Sequence, residues 1–245
     1  TLLHKIRIVM RNYEPNLIDS GEDWVVCKSE VVSNESEEMK VQLGRAYRLF
    51  KNTFTGCDSS LKNDGLTLDA LPDLFSQVDA RQEDMEQLKN MKSGDLSGYR
   101  FYNVFNLTSP SALFYHLLKE ISAIVRKHLG NFGVNPDDPL WMQCWMNFHK
   151  PDQVLDWHDH HFPWHGYISI DPKDSITKFK EHLPVGTYEY NIINKIGNIY
   201  LGPGFSRMHK VVVNNDYEGD RITLGFDIIT QSTLPDDQFS LIPLL

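Results

Sequence analysis

A chain of 245 residues, 41% hydrophobic and 23% charged, holds enough apolar material for one large domain or a domain with an elaboration. Its formal charge of −9 argues against a general phosphate-backbone binder, which would carry a basic face, so nucleic acid is not an expected partner. Three widely spaced cysteines (Cys27, Cys57, Cys144) suit reduced thiols and a cytoplasmic setting rather than a disulfide framework. No apolar run reaches the ~18 residues a bilayer span needs, so no membrane partner is expected, and the charged opening TLLHKIRIVMRNYEP does not read as a secretory signal.

In chain order, Asn34 with Glu37 three residues on predicts a capping box that opens a helix running to about Phe50. CDSSLKNDG (57–65) predicts a loop, and the polar segment 69–92 a second helix. The clearest helix is SPSALFYHLLKEISAIVRKHLG, with Ser109 as N-cap, Pro110 at the first helical position and Gly130 past the end. Leu113, Leu117, Ile121, Ile124 and Leu129 recur at helical spacing and predict one core-facing side. After NPDDP (135–139) the texture changes. WMQCWMNFH, GYISI, TYEYNII, GNIYLG, HKVVV and RITLGFDIIT are short, β-branched and aromatic, with turn signals between them. The expected fold is α+β: a helix-rich part over 1–135 packed on an antiparallel, jelly-roll-like core over 136–245, the two forming one integrated unit.

Five of the ten histidines fall between His149 and His165, four of them in WHDHHFPWH (157–165). Read as a strand, alternation puts His158 and His160 on one face and Trp157, Asp159 and His161 on the other. His158 and His160 can then give two imidazoles to one metal. The third donor must come from afar, and His209, behind the loop of Gly202 and Gly204, is the histidine placed to supply it. Such a facial set leaves neighbouring coordination positions open for chemistry. His149, His161 and His165 are expected outside the donor set, Asp159 is out of phase, and no cysteine is near enough to close a structural zinc site.

Residues 141–230 resemble the 2-oxoglutarate-dependent iron(II) oxygenases. WMNFHKPDQVLDWHDHHFPWHGYISI is similar to that family's metal-binding block, Thr177-Lys178-Phe179 to its T-x-F element, and GNIYLGPGFSRMHKVVV to the segment that leads to its distal histidine. Arg221, twelve residues past His209, and Thr223 are similar to its R-x-S/T. The resemblance implies a double-stranded β-helix core with Fe(II) held by His158, His160 and His209. It implies 2-oxoglutarate as cosubstrate on Arg221 and Thr223, with Asn147 and Tyr167 lining its pocket and Trp157 and Tyr200 as further pocket candidates. It also implies O2 as a partner and C–H hydroxylation of a small-molecule or side-chain substrate by a ferryl species. A guanidinium fork matches a carboxylate in two places, which makes arginine the apt anchor. The family's usual pair is His-x-Asp/Glu, whereas this chain has His160 at the second position, as in a His-x-His branch.

The cupins, a fold relative, are the rival resemblance. Gly197, Pro203, His209 and Asn214 are similar to their second motif, but Trp164 and His165 stand where their glutamate is expected. That reading implies a three-histidine dioxygenase independent of 2-oxoglutarate, and three histidines plus water would also suit a zinc hydrolase or lyase. A binding or scaffold protein with a vestigial site is the non-enzymatic alternative, and a homodimer is compatible with all of these.

Overall fold

In the computed structural model the described residues are 16–55, 102–151, 156–184, 186–213, 217–230 and 239–244. The predicted loop 57–65, the predicted helix 69–92 and Asn214 lie outside them.

Three helices are described. Helix α1 (Glu30–Thr55) starts four residues before the predicted capping box, because the Ser29 hydroxyl accepts from the Val32 amide and caps it there. The Asn34–Glu37 motif instead falls where the helix is interrupted at Glu35, with φ −124° and ψ 21°. A short helix α2 (Val104–Leu107) is capped by Asn103, whose side chain accepts from the Phe105 amide. It uses the chain up to Thr108, so the predicted long helix begins later, as α3 (Ala112–Gly130), with Ser111 rather than Ser109 at its N-cap. Phe114, Leu117, Ile121, Ile124, Val125 and Leu129 line the buried side of α3. Each such side chain contributes roughly 1.5–3 kcal/mol through the apolar surface it removes from water.

Among the described residues there are ten strands in chain order: β1 (Asn16–Ser20), β2 (Val25–Lys28), β3 (Leu140–His149), β4 (Trp164–Asp171), β5 (Ser175–Leu183), β6 (Gly186–Ile193), β7 (Asn198–Pro203), β8 (Arg207–Val213), β9 (Arg221–Thr230) and β10 (Ile242–Pro243). They form a seven-stranded sheet, β1-β2-β7-β4-β9-β3-β10, and a three-stranded sheet, β6-β5-β8, with antiparallel pairing throughout. From β3 onward the chain passes back and forth between the sheets. An isolated bridge of His158 to His209 stands where a fourth strand would join the small sheet. This winding is a double-stranded β-helix, and the fold is α+β.

Alternation along the large sheet sorts its two faces. Ile222, Leu224, Phe226 and Ile228 of β9, with Met142, Cys144, Met146 and Phe148 of β3, join one core cluster with the apolar faces of α1 and α3. The positions between them turn toward the small sheet. At one end this interior is filled by Trp24, Val26, Tyr167, Phe179, Ile192 and Tyr200. There Arg207 donates to both carboxylate oxygens of Asp23 (2.9 and 2.8 Å) and to Glu181 (2.9 Å), which ties the β1–β2 turn to the small sheet.

Candidate metal centre

The interior face of the large sheet carries Trp145, Asn147 and His149 from β3, His165 and Tyr167 from β4, and Arg221, Thr223 and Gly225 from β9. With His158, His160 and, from the small sheet, Thr177, His209 and Val211, these residues line one cavity.

The segment that holds His158 and His160 is not the regular strand that the alternation argument assumed. Residues 156–163 are irregular apart from the bridge at His158. Backbone bonds fix the segment instead. His158 and His209 exchange N–H···O bonds of 3.1 and 2.8 Å, the His160 amide donates to the Gly204 carbonyl (3.2 Å), and Gly204 donates to the Pro163 carbonyl (3.0 Å).

Three imidazoles converge: one ring nitrogen from each of His158, His160 and His209 lies within 4.8 Å of the other two. Hydrogen bonds set two of the tautomers. His158 Nδ1 faces the Asp156 carbonyl at 2.7 Å, and because a carbonyl only accepts, Nδ1 carries the proton and Nε2 the lone pair. His160 Nδ1 lies 3.1 Å from Asp227 Oδ1, which places its proton there too, and Nε2 is buried with no hydrogen-bond partner. A buried lone pair without a donor, beside two other imidazole nitrogens, fits a divalent metal ion. Burial holds His209 well below the usual histidine range, with His165, His158 and His160 adding to the effect, and burial likewise lowers His158. Both rings are therefore neutral, the form that binds metal.

Two residues are closer to this centre than the sequence suggested. His165, expected beyond the end of the strand, lies within β4, buried, with its ring 3.5 Å from that of His160 and nearly parallel to it. Burial and the neighbouring His160 bring it down to about 4. Its Nδ1 lies 3.0 Å from the same Asp227 Oδ1 that faces His160. Asp227 itself was not singled out, although the face shared by Arg221 and Thr223 reaches it two steps further along β9. Burial alone would raise its carboxyl, but electrostatic interaction with His160 and hydrogen bonds from His160 and His165 hold it at about 2. His160, His165 and Asp227 form a second group of convergent donor atoms, whereas Asp159 and His161 are exposed.

At the other end of the cavity Arg221 is 3% exposed. Its Nη1 donates to His149 Nδ1 (3.2 Å), and its Nε is buried without a partner. Among the described residues no carboxylate pairs with it, and burial brings the guanidinium down to about 10, with Tyr217 and Tyr167 opposing that effect. Asn147 Nδ2 donates to Thr223 Oγ1 (3.3 Å), while Asn147 Oδ1 is buried and unpartnered. Tyr167 lines the cavity with its ring and donates its hydroxyl to Asn194 (3.0 Å). Trp157 and Tyr200 are not among the lining residues. The Trp157 ring lies near the ammonium groups of Lys180 (4.2 Å) and Lys210 (5.0 Å), and Tyr200 is buried in the aromatic cluster.

No protein-family model matches the chain, and no curated protein matches its sequence. Solved structures do resemble it. The epimerase SnoN in complex with Fe3+, alpha ketoglutarate and nogalamycin RO aligns over 98% of this chain and 99% of its own, at 10% identity and a TM-score of 0.44. A Pseudomonas putida prolyl-4-hydroxylase aligns over 49% of this chain and 69% of its own, at 10% identity and a TM-score of 0.39. The carbocyclase SnoK from nogalamycin biosynthesis covers 54% and 71%, at 12% identity and a TM-score of 0.38. SnoK and SnoN are described as non-heme, alpha ketoglutarate dependent enzymes. The likeness is distant, so the chemistry has to be argued from the side chains. Among the described residues no helix is long and apolar enough to cross a membrane.

Proposed function

We propose that the chain is an Fe(II)- and 2-oxoglutarate-dependent dioxygenase that hydroxylates a small molecule or a side chain, with O2 as co-substrate. His158, His160 and His209 would hold the iron. Arg221 and Thr223 would receive the far carboxylate of 2-oxoglutarate, with Asn147 beside them. One observation carries the reading: a buried arginine with no carboxylate partner among the described residues shares a cavity with three convergent imidazoles. A buried unpaired charge is costly, and a dianionic cosubstrate is the species that relieves it.

When bound, the iron and cosubstrate supply the oxidative chemistry, as cofactors generally do. The chain contributes orientation. Arg221 offers a two-pronged donor that defines how the keto acid lies, and His149 Nδ1 accepts from Arg221 Nη1 and steadies it. The Asn147–Thr223 pair leaves the Asn147 carbonyl oxygen free for a ligand hydroxyl or water. Trp145 and Val211 exclude water from the walls. Cys27 and Cys144 are buried free thiols, in keeping with a reducing, cytoplasmic setting.

A three-histidine dioxygenase without 2-oxoglutarate, or a zinc hydrolase, would use the same imidazoles but gives Arg221 nothing to bind. The test is anaerobic addition of Fe(II) and then 2-oxoglutarate. A weak visible charge-transfer band is expected in the wild type and not in Arg221→Ala. No band in the wild type, or an equal band in the variant, refutes the reading, and tight stoichiometric zinc in protein purified without oxygen would favour the hydrolase.

A further inference from the structure

We propose that Asp227 is a positioning residue for His160: its carboxylate fixes the ring with the proton on Nδ1, aims Nε2 into the cavity, and supplies negative charge one hydrogen bond behind the imidazole. The proposal rests on the metal-centre reading above. In that reading the chain lacks an acid at position 160, where His-x-Asp/Glu sites place one directly on the metal.

Three observations carry it. Asp227 is 2% exposed, and among the described residues it pairs with two imidazoles. A buried carboxylate kept without lysine or arginine is expensive unless its hydrogen bonds are needed. Second, one oxygen, Oδ1, faces both Nδ1 of His160 (3.1 Å) and Nδ1 of His165 (3.0 Å), so the two stacked rings are clamped from the same side. Third, the backbone around His160 is irregular, and the His160 amide hydrogen-bonds to the Gly204 carbonyl rather than into a strand ladder, so no strand geometry sets the ring. The carboxylate is what orients it, and Nε2 is the atom left buried and unpartnered.

Charge explains why the carboxylate sits where it does. Three neutral imidazoles leave a divalent ion with its full charge, whereas a facial set with a carboxylate offsets part of it. An ionised Asp227 behind His160 makes that ring a stronger donor and returns part of the missing charge through the hydrogen bond, as outer carboxylates do for metal-bound histidines generally. His165 has a place in the same arrangement. Its ring covers one face of His160, and its Nδ1 proton holds the shared oxygen in position.

The test is titration with Co(II), followed by its visible spectrum, in wild type, Asp227→Asn, His160→Ala and the double variant. Asp227→Asn keeps the shape but offers an N–H as readily as an oxygen. It should bind Co(II) about 10–100-fold more weakly, the usual cost of losing such a partner, with an altered spectrum, and Asp227→Glu should recover part of the loss. Adding Asp227→Asn to His160→Ala should cost nothing further, because Asp227 acts through that ring. Nitrogen-resolved NMR of the Zn(II)-loaded wild type, which needs no variant, should show His160 protonated at Nδ1. Wild-type Co(II) affinity and spectrum in Asp227→Asn, additive losses in the double variant, or an Nδ1-bound metal would each overturn the inference while the metal centre stands. No Co(II) binding by the wild type would overturn both.

Discussion

Arg221→Met separates the charge of the cavity from its shape. Burial brings the guanidinium down to about 10, against roughly 12.5 for a hydrated arginine, a gap worth about 3 kcal/mol. The folded-state value lies below the unfolded one, so the folded chain holds this proton less tightly. The penalty is therefore fully present at every pH below about 10 and disappears only as the pH rises past the unfolded value. At pH 7.5 an uncharged methionine of similar reach relieves it. The lost hydrogen bond to His149 returns about 1 kcal/mol, leaving a net gain of about 2 kcal/mol. For a chain of this size each kcal/mol moves Tm by about 2–4 °C, so the metal-free variant should melt about 4–8 °C above wild type. With Co(II) and 2-oxoglutarate at a hundred times its Kd, wild type should gain about 2.7 kcal/mol, and the variant should gain nothing from the keto acid. Calorimetry of both proteins in both buffers checks this. A metal-free variant that melts below wild type, or one that 2-oxoglutarate stabilises as much as wild type, would refute the reasoning.

Three other outcomes follow from the same structure. His209→Ala should abolish stoichiometric Co(II) binding in an absorbance titration, and EDTA should then lower the Tm of Co(II)-loaded wild type without changing that of the variant. Gly225→Ala would place a methyl carbon 2.6 Å from two ring carbons of Trp145. Displacing that ring should cost about 1–3 kcal/mol and shift the tryptophan emission, and an unchanged Tm would show that the wall is softer than its geometry implies. Burial lowers the His128 pKa, although the bond of its Nε2 to the Asp23 carbonyl (3.1 Å) opposes this. The stability its neutral ring contributes is present above about pH 6.5 and lost as the pH falls through the folded value, so His128→Phe should lose less Tm between pH 7.5 and 5 than wild type. Equal losses would exclude it as an acid-sensitive group.

What the sequence revealed and what it hid follow from one distinction, between order imposed by neighbours in the chain and order imposed from across the fold. WMQCWMNFH and RITLGFDIIT were readable because a strand buried on both faces needs β-branched and aromatic side chains at nearly every position. Strand β5 was harder: in SITKFKEHL the inward Thr177 and Phe179 alternate with outward lysines, so the apolar signal is half as dense. The β1–β2 hairpin gave less still, because the five residues of β1 are all exposed. The capping box at Asn34 is a local match that a stronger local contact overrode, the Ser29 hydroxyl having already started the helix.

The same distinction explains the histidine cluster. Strand alternation was the wrong reason for grouping His158 with His160, since Pro163 cannot donate a ladder hydrogen bond and the segment is held by His209 and Gly204 instead. Alternation was the right tool on β9 and was not carried far enough. It leads from Arg221 through Thr223 and Gly225 to Asp227, one polar row on a strand whose other row is Ile222, Leu224, Phe226 and Ile228. In a strand whose positions are nearly all buried, packing explains the apolar row and leaves the polar one unexplained. Buried polar groups persist only where each has a partner or a ligand to meet. Asp227 meets two imidazoles, Thr223 meets Asn147, and Arg221 meets one histidine and, among the described residues, no carboxylate, which is the gap in the row that the proposed cosubstrate carboxylate would fill.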